Sequence, residues 1–140
     1  MRSKGLFPRL DESNHKVTSE PTVEYNCIAW AANESDRWWD VADGYYWPEG
    51  AEKSYDTSAL VSAFLVQGFR ESASASVVPG VEKVAVYSQA GEFTHIARQL
   101  PDGRWASKLG DLEDIEHRTL EALEGSLYGK TTMILERPLT

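Results

Sequence analysis

The chain contains a single cysteine, Cys27, at a place where a thiol could act as a nucleophile. It follows Asn26, a residue type that often caps helices, and it precedes a run rich in alanine. Residues 25–33 are therefore predicted to form a short helix with the cysteine in its first turn. Backbone N–H groups and the helix dipole lower the pKa of a thiol at such a position, which favours the thiolate. The alternative is a small, buried apolar cysteine.

His95 is the candidate base. It lies near the start of a predicted strand, after a turn that contains Gly91. A histidine on one element that activates a cysteine on another is the general arrangement of acyl-transfer nucleophiles. A strand histidine bonded to a backbone carbonyl, or simply exposed, is the alternative. Together Cys27 and His95 predict cysteine-dependent chemistry at a carbonyl carbon.

Such a pair needs an orienting group and donors for an oxyanion. Ser107, on the next predicted strand, and Asp114, in an acidic loop just after it, are the candidates to orient the imidazole; for the acidic segment, a solvated loop is the alternative. The backbone N–H of Cys27, with the side chain of Asn26 or Asn14, would stabilise the oxyanion.

Residues 34–56 are dense in aromatic side chains and turn formers, and are predicted to form a long loop. The side chains of Trp38, Trp39 and Trp47 could line a groove for an extended peptide or a glycan. The alternative is a small core of their own beneath the loop.

The remaining pattern is typical of a single α+β domain over residues 1–140. An extended arm is predicted at 1–24, a second helix at 57–68 and a Ser/Ala loop at 72–76. Strands are predicted at Val81–Ser88, Phe93–Leu100, Arg104–Leu109 and Thr131–Arg137, with a short helix at 119–124. The helix that carries Cys27 is expected to pack on the antiparallel β-meander that these strands form.

Charge and composition exclude several functions. The net charge of −8 argues against a nucleic-acid partner or a polybasic membrane binder, because both need excess positive charge. No apolar run approaches the length of a membrane span and no signal peptide is visible, so a cytoplasmic protein is expected. A lone cysteine and three histidines without metal-ligand spacing predict no metal and no cofactor.

Several segments resemble an uncharacterised bacterial family, a domain of unknown function. They are Tyr25–Ala32, Tyr46–Pro48, Lys83–Tyr87, Thr94–Leu100, Trp105–Gly110 and Glu113–His117, and the likeness extends over about residues 7–138. This resemblance implies no chemistry.

The layout is also similar to compact papain-like enzymes, the NlpC and CHAP type of amidase and peptidase. In them a cysteine at a helix N-terminus precedes a strand histidine, and a polar residue on the next strand orients that histidine. The resemblance implies Cys27 as nucleophile and His95 as base. The orienting place falls near Ser107 or Lys108, where those enzymes have His, Asn or Asp. A peptide or protein substrate for a peptidase, amidase, deamidase or acyl transferase is implied.

Two other functions stay open. One is a non-catalytic binding module, such as an immunity or accessory protein, that uses the aromatic loop as its contact surface. The other is a metal-dependent hydrolase that uses His95, His117 and carboxylates.

Overall fold

One antiparallel sheet organises the part of the chain that the structure describes. The computed structural model describes residues 15–17, 26–32, 38–42, 44–108, 114–125 and 128–139. The strands are β1 (His15–Val17), β2 (Arg70–Ser72), β3 (Val81–Gln89), β4 (Glu92–Gln99), β5 (Trp105–Lys108), β6 (Asp114–His117) and β7 (Lys130–Pro138). The helices are α1 (Cys27–Ala31), α2 (Thr57–Val66) and a 3₁₀ helix (Leu120–Leu123). The α+β class thus agrees with the sequence.

The hairpin of β3 and β4 forms the centre of the sheet. Ala90 and Gly91 connect the strands with φ angles of 55° and 82°, which suit a two-residue turn whose twist matches that of the strands. The register places Tyr87 opposite His95. Cross-strand neighbours share one face of a sheet, so these two rings lie on the same side.

The sheet departs from a simple meander. Its order is β1-β6-β5-β4-β3-β7-β2, so β3 to β6 follow one another but β7 crosses to pair with β3. The acidic loop predicted before the last helix overlaps β6, which begins at Asp114 and pairs with β5 and β1. The alternation of buried and charged residues in β6 covers few positions, with Ile115 and His117 buried between charged neighbours. Ser72, predicted in a loop, ends the edge strand β2.

Two apolar clusters cover the two faces of the sheet. On one face, α1 and α2 pack against alternate residues of β3 and β4, with Phe64, Val86 and Ile96 at the centre. On the other face, the 3₁₀ helix packs against the intervening residues, among them Tyr87 and Trp105. This alternation assigns His95 to the second face, while Cys27 packs beside the first cluster.

Candidate active site

Asn26 fixes the position of Cys27 at the start of α1. Its side-chain oxygen accepts hydrogen bonds from the backbone N–H groups of Ala29 and Trp39, each at 3.1 Å. Its side-chain nitrogen donates to the carbonyl of Trp39. The same amide therefore caps the helix and holds the aromatic loop against it. In this structure Asn26 is a positioning group that is engaged with the helix on one side and with the loop on the other.

The Cys27 thiol lies beside β4, at the residue next to His95. The β4–β5 ladder is short, because it pairs only Arg98 with Ala106 and Gln99 with Trp105. Beyond these pairs, the backbone N–H of Ile96 faces the sulfur of Cys27. Among the described residues no hydrogen bond joins the thiol to the His95 ring. The thiol thus approaches the strand at the margin where β5 no longer pairs with it.

The pKa of Cys27 corrects an expectation from the sequence. A thiol at a helix N-terminus is expected to have a lowered pKa, but burial raises the pKa of Cys27 to about 11. The N–H groups of Ile96, Cys27 and Ile28 and the charge of Lys108 act in the opposite direction. Loss of hydration of the thiolate outweighs them. The resting residue is therefore a neutral thiol.

A chain of hydrogen bonds across three strands holds His95. Nε2 of His95 lies 2.9 Å from Oγ of Ser107, and that oxygen lies 2.8 Å from Nε2 of His117. Nδ1 of His117 lies 2.9 Å from the carbonyl oxygen of Thr119. The sequence singled out Ser107 as a partner of His95 but missed His117 in this role. The signal that could have found it is the period of two that places Ile115 and His117 on one face of β6.

The surroundings of His95 favour a neutral ring. The ring of Tyr128 stacks on it with centroids 4.2 Å apart, and Tyr87 packs at 5.3 Å. Burial lowers the pKa of His95 well below its usual value, and the nearby His117 adds to the shift. Nδ1 of His95 is buried and has no hydrogen-bond partner among the described residues. The ring thus has one nitrogen that is held and one that is available as a base.

Tyr128 links the histidine and the cysteine. The hydroxyl of Thr94 donates a hydrogen bond to the backbone carbonyl of Tyr128, which holds the tyrosine against β4. The pKa of Tyr128 is raised by burial and, next in size, by the negative charge that Cys27 would carry as a thiolate. The ring that stacks on His95 therefore also lies within the electrostatic reach of the thiol.

The side chains of two predicted site residues, Asn14 and Asp114, lie outside what the structure describes. Asn14 lies outside the described residues. Asp114 is described by its backbone alone, which pairs with Lys108 at the start of β6. Lys108 itself is completely buried, and its charge acts on Cys27.

The tryptophans of the aromatic loop pack inward. Trp39 is completely buried and contacts Tyr46 edge to face at 4.9 Å, so it is not available to a ligand. The indole N–H of Trp47 donates to the carbonyl of Glu52 at 2.8 Å, and its ring stacks on Phe93 at 6.1 Å. Trp38 is half-buried. Trp39 belongs to the apolar cluster that α1 and α2 form with the sheet, and Trp47 packs against it. The two side chains thus join the main core, instead of lining a groove or forming a small core of their own.

Besides this site, the described part of the chain contains an apolar groove, but no side-chain group for a metal ion and no helix that could cross a membrane. No group of three His, Cys, Asp or Glu side chains there is placed to hold a metal ion. An apolar groove of about 480 Å³ runs between Val77, Val81, Leu100 and Leu139, away from Cys27 and His95. No helix of the described residues has the length and apolar character needed to cross a membrane.

A comparison with protein families identifies the family of this chain. A family model described as a domain of unknown function, DUF7689, matches residues 16–136. The chain belongs to this family. The match confirms the uncharacterised domain family expected from the sequence, and it spans every residue of the site from Asn26 to Tyr128. Neither the curated proteins nor the solved structures contain a match. The papain-like layout therefore finds no support among known proteins, and the DUF7689 match names no activity.

Proposed function

We propose that this DUF7689 protein is a cysteine-dependent amide hydrolase or acyl transferase of papain-like mechanism, with Cys27 as nucleophile and His95 as general base. One observation carries the proposal. The buried ring of His95 is held through Nε2 by Ser107, while its Nδ1 has no partner in the described part of the chain. The backbone N–H of the next residue, Ile96, faces the only thiol of the sequence. A nucleophile, a base and a group that orients the base are the parts that such catalysis needs.

The pair reacts from a neutral state. Because the pKa of Cys27 is raised to about 11 and that of His95 is lowered, thiol and imidazole are both uncharged at neutral pH. Cys27 and His95 approach β4 from different faces, so we infer that they meet around the edge of that strand, where β5 leaves it unpaired. As the sulfur attacks a carbonyl carbon, Nδ1 of His95 takes the thiol proton, and it then gives that proton to the departing amine. The resulting thioester is cleaved by water or an acceptor amine, whose proton passes to His95 and back to the sulfur.

Backbone groups at the start of α1 support the oxyanion. The N–H groups of Cys27 and Ile28 point toward the sulfur, and the oxyanion forms on the carbon bonded to that sulfur. Donors already fixed in place stabilise such a charge without reorganisation. The positive charge of buried Lys108 acts in the same direction, since it stabilises negative charge near the thiol.

The test is acetylation of Cys27 by p-nitrophenyl acetate at pH 7. Mass spectrometry and the release of nitrophenol measure the reaction. A thiol of pKa about 11 without a base would react roughly a hundredfold more slowly than the unfolded chain, whose thiol has an ordinary pKa. We expect the folded protein to react faster than the unfolded one. The variant His95→Gln, which keeps the bulk of the side chain but not its basicity, should fall below the unfolded rate.

The outcome separates the alternatives. Acetylation slower than in the unfolded chain, or unchanged in His95→Gln, overturns the proposal. A binding function through the aromatic loop would then remain, although few of the loop's described rings are available for it. Only Tyr45 and Tyr55 are largely exposed among them.

A further inference from the structure

We propose that His117 is a positioning residue that determines, through Ser107, which nitrogen of His95 carries the proton. The tautomer follows from the hydrogen-bond chain alone; its importance for catalysis rests on the proposed function. The chain of hydrogen bonds begins at the carbonyl oxygen of Thr119, which can only accept a hydrogen bond.

The direction of each hydrogen bond follows from this end. Nδ1 of His117 must carry a proton, because its partner is a carbonyl oxygen. A neutral imidazole has a single N–H, and a second proton on a completely buried ring would cost hydration free energy. Nε2 of His117 therefore accepts the hydrogen bond from the hydroxyl of Ser107.

The same reasoning reaches His95. A hydroxyl has one hydrogen, and that of Ser107 is committed to His117. The contact of 2.9 Å between Ser107 and His95 must then be a bond that Nε2–H of His95 donates to Oγ. His95 is fixed as the Nε2–H tautomer, and the lone pair is at Nδ1, the nitrogen for which the described residues provide no partner.

The end of the hydrogen-bond chain at Thr119 is held in place. Thr119 comes just before the 3₁₀ helix, and the hydroxyl of Tyr87 donates to the carbonyl of Leu120 at 2.7 Å. Tyr87 lies opposite His95 in the β3–β4 hairpin. Tyr87 therefore holds the residue next to the orienting carbonyl of Thr119 and lies opposite the imidazole at the other end of the hydrogen-bond chain.

Without His117 the tautomer should change. The Ser107 hydroxyl would lose its acceptor and could donate to Nε2 of His95, which would move the proton of that ring to Nδ1. A ring with Nδ1–H cannot accept a proton at the nitrogen that the mechanism uses. His117 thus acts on the base from two hydrogen bonds away.

The first test is the tautomeric state in the wild-type protein, read from nitrogen-15 spectra of the histidine rings of the full chain at pH 7.5. We expect His95 as the Nε2–H form and His117 as the Nδ1–H form. A His95 ring protonated at Nδ1, or a doubly protonated His117, overturns the inference. This measurement needs no substitution and no activity.

The second test uses a matched pair of variants. His117→Phe removes the acceptor, and we expect the His95 spectrum to show a large population of the Nδ1–H form. His117→Gln keeps an oxygen that can accept from Ser107, and we expect the wild-type tautomer. Thermal unfolding establishes that each variant is folded. An unchanged His95 tautomer in folded His117→Phe overturns the inference, whether or not His117→Gln behaves as expected.

The catalytic consequence is measured separately. Acetylation of Cys27 should fall about tenfold or more in His117→Phe and be restored in His117→Gln, since general base catalysis contributes at least that much. If wild-type Cys27 is not acetylated faster than the unfolded chain, the proposed function fails while the tautomer result still decides the role of His117. If acetylation occurs but His117→Phe leaves its rate unchanged, His117 is not a positioning residue.

Discussion

The ring of Tyr128 lies flat on the ring of His95, with centroids 4.2 Å apart and planes inclined by 6°. The contact covers one face of the imidazole and keeps it from solvent. It also explains part of the low pKa of His95, because burial of the ring is the main cause of that shift.

Removal of this ring should raise the pKa of His95. In Tyr128→Ala we expect the pKa to move up toward the ordinary value of 6.5, since water can then hydrate the imidazolium. Tyr128→Phe keeps the stacked ring and should leave the pKa low. Titration of the His95 ring by NMR measures both. A pKa that stays equally low in Tyr128→Ala would show that the rest of the core suffices to dehydrate the ring.

His95 should make the protein less stable in acid. Its folded pKa lies well below the unfolded value of 6.5, so the unfolded chain takes up a proton that the folded chain does not as the pH falls below 6.5. The free energy of unfolding should drop by up to about 1.4 kcal/mol per pH unit from this residue. Urea unfolding at pH 7.5 and 5.5 measures the drop, and His95→Gln should lose this share of it. Equal pH dependence in the two proteins contradicts the prediction.

The thiol of Cys27 should titrate late. We expect the ultraviolet absorbance of the thiolate to appear with a midpoint near pH 11 in the folded protein, because burial opposes ionisation. Cys27→Ser supplies the reference spectrum that removes the tyrosine contribution. The unfolded chain should titrate near its ordinary value of 9.0. A midpoint below pH 8 in the folded protein would mean that the N–H groups of α1 outweigh burial.

The cap of α1 should be important for stability. Asn26→Ala removes the hydrogen bonds to Ala29 and Trp39 together, and we expect a loss of about 2 kcal/mol, at the upper end for a helix cap. Asn26→Ser can still cap the helix, but its shorter side chain does not reach both backbone groups of Trp39, so its loss should be smaller than that of Asn26→Ala. Urea unfolding compares them. Equal losses would mean that the cap contributes little and the tie to the loop dominates.

Gly129 should tolerate no side chain. Its φ of 73° already disfavours other residues, and an added Cβ would overlap the carbonyl oxygen of Ser88. Gly129→Ala should therefore cost more than about 3 kcal/mol, with displacement of the adjacent Tyr128. Gly68→Ala is the matched control, because its φ is 95° but no atom of the described residues lies within 4 Å of the added Cβ. Similar melting temperatures for Gly129→Ala and Gly68→Ala would contradict the prediction that overlap with the carbonyl oxygen of Ser88 destabilises the protein.

Much of the local structure could be predicted from the sequence. The cap at Asn26, the turn that contains Gly91 and the strand at Val81–Ser88 are predicted from neighbouring residues, and the structure has the corresponding helix, hairpin and strand. The candidates Cys27, His95 and Ser107 came from residue type and order in the chain. Their types are properties of the sequence alone.

Only the tertiary structure decided how these residues meet. The pairing of β7 with β3, the burial of Trp39 and the place of His117 beside Ser107 depend on contacts between distant segments. The pKa of Cys27 is raised and not lowered for the same reason, because residues far along the chain bury the thiol and remove its water. Sequence determines which groups can ionise or donate; packing determines which of them keep their water, and that sets their chemistry.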